Sequence, residues 1–193
     1  MVNLKLHLKP VVAAFLLALA ILQPQAAFTQ QVLGDQDALD AMLETLSQAE
    51  PAQADRLADQ IRNEWEKSGS ASADFLLDRG KDAMDDGDVF AAIEHFTALV
   101  DHAPAFAQGW AERARAYFEL ELYGPAIGDL EHALALEPRH FDALTGLAVI
   151  LDSMDKPEDA YEAYLQVEAI HPHQPGLTEA LDRLEPMIRG REL

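Results

Sequence analysis

Cysteine is absent from all 193 residues. Structural disulfides, thiolate metal sites, cysteine nucleophiles and lipid attachment through sulfur are therefore excluded. Basic residues are scarce, with 14 Lys plus Arg against 34 Asp plus Glu and a formal net charge of −20. Sequence-independent affinity for nucleic acid comes from Lys and Arg displacing counterions from phosphates, so no nucleic-acid partner is expected. Anionic membrane surfaces are disfavoured on the same ground. Catalytic signatures are lacking too: the chain has no G-x-S-x-G, no Walker-type glycine loop and no H-E-x-x-H. Neither an enzymatic activity nor a cofactor is expected. What is present is a chain 49% hydrophobic and 25% charged, too apolar for an acidic disordered tail and rich enough for an ordinary core.

The N-terminus reads as an export signal over residues 1–28. Lys5, His7 and Lys9 precede an apolar stretch from Val11 to Leu22, and Pro24, Ala26 and Ala27 follow it, the order of charged, apolar and small residues in a secretory signal. Twelve apolar residues rise about 18 Å as a helix, short of a hydrocarbon core of about 30 Å. Cleavage after Ala27 or after Thr29 fits, and no stable membrane span is expected to remain. A location outside the cytoplasm, in a periplasm or secreted, is therefore expected.

Pro104, Pro138 and Pro172 are spaced 34 residues apart, and a fixed period of this size signals a repeat architecture. With each proline numbered 32, the repeats span 73–106, 107–140 and 141–174. Position 20 is then Ala92, Ala126 and Ala160; position 8 is Gly80, Ala114 and Ala148; position 4 is Leu76, Trp110 and Leu144; position 24 is Phe96, Leu130 and Tyr164. Small residues recur where paired helices approach, and large ones flank them. Apolar spacing within each repeat is helical, as in Leu144, Leu147, Ala148 and Leu151. Turn formers divide each repeat in two: Asp85, Asp86 and Gly87; Tyr123, Gly124 and Pro125; Asp155, Lys156 and Pro157. Each repeat is thus a helical hairpin.

Over Ala73 to Pro172 this pattern resembles the tetratricopeptide repeat family. Trp110 and Tyr117 match its W-x2-L-G-x2-Y opening, Ala92, Ala126 and Ala160 its central alanine, and the three prolines its closing position. Arg79 and Arg113 depart from it at position 7, where the family has leucine; each is expected to lay its stem on apolar surface with its head in water. The resemblance implies an all-α, right-handed superhelical solenoid of three such hairpins plus flanking capping helices. Residues 30–68 carry two amphipathic stretches, with Leu39, Met42, Leu43 and Leu46, then Leu57, Ile61 and Trp65, either a degenerate repeat or a cap. Residues 175–193 carry the stripe Leu177, Ala180, Leu181, Leu184 and Ile188 with polar residues outward, as a terminal cap requires.

In similar family members, positions 2, 5, 9, 12 and 13 line a concave groove. Here they are Asp74, Leu77, Lys81, Met84 and Asp85; Gln108, Ala111, Arg115, Phe118 and Glu119; and Asp142, Thr145, Val149, Asp152 and Ser153. The implied function is a protein-binding scaffold or adaptor that takes a protein or peptide partner through Leu77, Lys81, Met84, Gln108, Ala111, Arg115, Phe118, Asp142, Thr145 and Val149. Lys81 and Arg115 would orient a ligand carboxylate or carbonyl, unless each pairs with a nearby acid. The competing reading has these residues packed on neighbouring helices or on the N-terminal hairpin. A second functional reading is an accessory subunit of a larger cell-envelope complex. Members that grip the acidic tails of cytosolic heat-shock chaperones carry cations or asparagines where this chain has Leu77, Lys81, Glu112, Asp142 and Gly146, so an acidic tail is not the expected ligand. The acidic turn Asp82 to Asp88 lacks the acceptors of a calcium loop. His102, His140, His171 and His173 fall in inter-repeat loops with no spacing that fixes a metal geometry, so no metal is expected.

Overall fold

The computed structural model describes residues 36–189. The expected export signal over residues 1–28 lies outside them. Two compact units divide the chain, Met1–Ala41 and Met42–Leu193. Nine helices and no strand occur among the described residues. They are α1 (36–46), α2 (Pro51–Trp65), α3 (Ala71–Asp85), α4 (Val89–His102), α5 (Ala107–Glu119), α6 (Tyr123–Leu136), α7 (Phe141–Ser153), α8 (Pro157–Ile170) and α9 (Leu177–Arg189). None is long and apolar enough to cross a membrane.

The 34-residue spacing becomes three near-identical hairpins, α3/α4, α5/α6 and α7/α8. In each, the residue at position 15 turns left-handed: Gly87 at φ 77°, Glu121 and Asp155 at φ 57°. The next amide then returns to the carbonyl five residues back, Asp88 to Ala83, Leu122 to Tyr117 and Lys156 to Leu151, at 2.8–3.0 Å. This satisfies a carbonyl that the helix end would leave orphaned. Every second helix ends two residues before its proline, which cannot continue the amide ladder.

Packing follows the alternation of small and large residues. Ala92, Ala126 and Ala160 are fully buried, and Phe96, Leu130, Tyr164, Leu99, Ala133 and Val167 pack around them. Trp110 is only half-buried; its ring stacks on His132 and its Nε1–H donates to the Pro104 carbonyl. One expectation fails at Arg113. Its head is not in water but donates two hydrogen bonds to Asp129, at 2.7 and 2.8 Å, and lies over the rings of Trp110 and Tyr117. Asp129 comes from the facing helix α6 and is itself buried. That bond raises the Arg113 pKa against the opposing effect of burial. Arg79, by contrast, is exposed.

At the C-terminal end, α9 buries Leu177, Ala180 and Leu184 against the third hairpin. Arg183 also reaches Asp152 of α7 through two hydrogen bonds. At the other end α2 buries Ala54, Leu57, Ala58, Ile61 and Trp65. A turn containing Gly69, at φ 75°, then leads to Ser70, whose hydroxyl accepts the Ala73 amide and caps α3.

Candidate groove and the pocket between α5 and α7

The first helices of successive hairpins touch one another, α3 with α5 and α5 with α7. Between α5 and α7 lies a pocket of about 450 Å³, within the usual range of about 300–1,000 Å³ for ligand sites. Its room comes from small residues: Ala111 and Ala114 on α5, Ala143 and Gly146 on α7. Leu130 and Ile150 complete the buried lining, and Phe118, Thr145 and Val149 stand half-exposed above it. A Cβ added at Gly146 would sit 3.7 Å from Leu130, an ordinary contact.

Seven of the ten residues singled out from the sequence line this pocket: Gln108, Ala111, Arg115, Phe118, Asp142, Thr145 and Val149. The three on α3 do not. Leu77 is 2% exposed and packs with Phe96, Leu99 and Ala116, so it offers no surface to a ligand. Met84 packs half-buried against the same cluster. Lys81 pairs at 2.5 Å with Glu66, the residue just after α2. Sequence reasoning does not place Ala114, Leu130, His140, Ala143 and Ile150 in the site; it sets Gly146 only against a chaperone tail, and Glu112 both against such a tail and as a pairing acid for a groove cation, which is its role beside Arg115. Gly146 was the available signal, since a glycine inside a helix marks a close approach or an opening.

A hydrogen-bonded chain runs along the pocket wall. The His140 Nδ1 accepts the Ala143 amide at 3.3 Å and caps α7, so Nε2 carries the proton and donates to Gln108 Oε1 at 2.9 Å. Gln108 in turn donates to Glu112 at 3.0 Å, and Arg115 donates to the other oxygen of Glu112 at 2.9 Å. Burial lowers the His140 pKa to about 4, which keeps the ring neutral in this cap.

His140 and Asp142 also join the pocket to α2. The Trp65 ring stacks on His140 with centroids 4.0 Å apart. Arg62 donates to both oxygens of Asp142, at 2.8 and 3.0 Å, with its guanidinium 5.1 Å from the Phe141 ring. The end of α2 therefore occupies the Asp142 end of the groove, and no residue of α2 is in the pocket lining. Both cations expected to meet a ligand already have partners, Lys81 in Glu66 and Arg115 in Glu112. Three carboxylates, Glu112, Glu119 and Asp142, face one guanidinium in the lining.

Nothing in the pocket pairs a nucleophile with a base. Thr145 donates its hydroxyl to the Phe141 carbonyl at 2.8 Å. His140 lies buried against Trp65 and His171 buried against Phe141, and no three His, Asp or Glu among the described residues converge as metal ligands. The arrangement offers apolar area and oriented polar groups, which suits binding.

No family model matches the chain. A TPR repeat-containing protein of Rhizobium etli is 30% identical over 153 residues, covering 79% of this chain and 75% of that protein. The small glutamine-rich tetratricopeptide repeat-containing protein 2 of Saccharomyces cerevisiae is 34% identical over 113 residues, 58% of this chain and 32% of its own. Among solved structures, the first TPR of Spaghetti (RPAP3) bound to the HSP90 peptide SRMEEVD superposes with a TM-score of 0.60 at 25% identity, covering 62% of this chain and 95% of that one. The crystal structure of MamA gives 0.58 at 24% identity over 72% of this chain and 84% of that one, a likeness of fold.

Proposed function

The chain belongs to the tetratricopeptide repeat family, and we propose that it is a non-enzymatic scaffold or adaptor that seats a peptide segment of a protein partner in the pocket between α5 and α7, outside the cytoplasm. The observation that carries this reading is the pocket itself: small residues on two facing helices open about 450 Å³ that no side chain among the described residues fills. A solved relative that holds a peptide supports it. The extracytoplasmic location rests on the order of Lys5, Lys9, the apolar stretch and Ala26-Ala27.

Two measurements test the two parts. Gly146→Leu and Val149→Phe should each fill the pocket; a partner retained by the wild-type protein and lost by both folded variants supports the binding site, and equal retention contradicts it. The N-terminal mass of the protein from cells should place the first residue between 26 and 31, in the extracytoplasmic fraction. An intact Met1 on a cytoplasmic product contradicts export.

A further inference from the structure

Resting on the pocket reading above, we propose that this pocket selects a segment carrying a bulky apolar side chain beside a lysine or arginine, and discriminates against acidic segments. The charges lining the pocket and their partners decide the sign. Arg115 is held by Glu112 at 2.9 Å and Lys81 by Glu66 at 2.5 Å, so neither cation is left for a ligand carboxylate. Arg62 neutralises Asp142 in the same way. Glu119, exposed at the mouth of the pocket, has no side-chain hydrogen bond or ion pair among the described residues.

Phe118 is the neighbour of Glu119 in sequence and lines the same pocket, half-buried. An ammonium or guanidinium lying over that ring gains from its negative face and reaches a carboxylate at the mouth. The apolar anchor is accommodated by the small residues Ala111 and Gly146 below. Beyond contact range, a chain of net charge −20 draws cationic segments toward it and repels acidic ones. An acidic segment in this pocket meets Glu119, a juxtaposition of like charges that suppresses wrong partners.

The test is selection of a phage-displayed library of random peptides on the immobilised wild-type chain, followed by affinity measurement of the selected peptides. Selected sequences should place Lys or Arg next to an aliphatic or aromatic residue. Their affinity should fall about tenfold in Glu119→Lys and weaken with added salt, and Gly146→Leu should abolish it; if Gly146→Leu fails to fold, Val149→Phe takes its place. Peptides rich in Asp and Glu that still depend on the pocket would overturn the charge selectivity and leave the pocket reading standing. Peptides that bind the filled variants as well as wild type, or no enrichment at all, would overturn both.

Discussion

Gly80 on α3 faces the ring of Phe96 on α4 so closely that a single added methyl group would run into it. Phe96 is fully buried and cannot swing aside into solvent. The second hairpin carries Ala114 and Leu130 at the same two positions, both in one buried cluster. Gly80→Ala should therefore destabilise by about 1 kcal/mol, because overpacking outweighs the better helix propensity of alanine. Phe96→Leu added to that variant should recover much of the loss. A double-mutant cycle by urea unfolding checks this, and additive single effects would count against the contact.

The docking of α2 rests on Arg62 and Trp65. The Arg62–Asp142 pair is about one-third exposed at each partner, so Arg62→Ala should cost only about 1 kcal/mol. Trp65 is 7% exposed between His140 and Phe141, and Trp65→Ala should cost about 3–5 kcal/mol. Limited proteolysis should show faster cutting in the turn at residues 66–70 for Trp65→Ala than for Arg62→Ala. Equal protection in both would argue that α2 is held elsewhere.

Glu121 and Asp155 occupy the left-handed turn position that Gly87 fills in the first hairpin. A side chain there costs about 1–2 kcal/mol, less for aspartate than for glutamate, whereas glycine adds freedom to the unfolded chain worth about 0.4–1 kcal/mol. Glu121→Gly should stabilise by roughly 0.5 to 1 kcal/mol and Asp155→Gly by less. Thermal unfolding of the two variants gives the order directly.

His140 makes stability depend on pH. Its folded pKa is lowered by burial, first, and by Arg62, with Asp142 acting in the opposite direction; burial lowers that of His171 as well. The unfolded ring takes a proton below about 6.5, while folded His140 stays neutral down to about 4. Its contribution is whole above about 6.5 and is lost as pH falls toward 4, on the order of 3 kcal/mol. His140→Asn can still cap α7 through its side-chain oxygen and should flatten that part of the profile. An unchanged slope between pH 6.5 and 4 would assign it to other groups.

The parts of this fold legible in the sequence are those that repeat. Three prolines in phase locate the hairpins, and alanines at position 20 locate the tight contacts between their helices, because close packing admits only small residues there. Apolar stripes likewise announce α2 and α9. Singular contacts carry no such signal. Arg62 and Asp142 are eighty residues apart, and nothing in either neighbourhood links them, so the seating of α2 at one end of the groove emerges only in three dimensions. Arg113 was misplaced because its partner Asp129 lies on the other helix of the hairpin, where a buried acid looks like any surface one. Leu77 shares its repeat position with Ala111 and Thr145, yet it alone is buried, since its fate depends on what packs over α3.

Photo-crosslinking in living cells shows whether the pocket between α5 and α7 holds the partner. The exposed rim position Arg115 is replaced by p-benzoylphenylalanine, with the exposed Glu131 of α6 as the control position, each in the wild-type and the Gly146→Leu background. A discrete protein adduct from position 115 that is missing at position 131 and disappears with Gly146→Leu is the predicted result. Adducts of equal yield at both positions, or one at 115 untouched by Gly146→Leu, would contradict it.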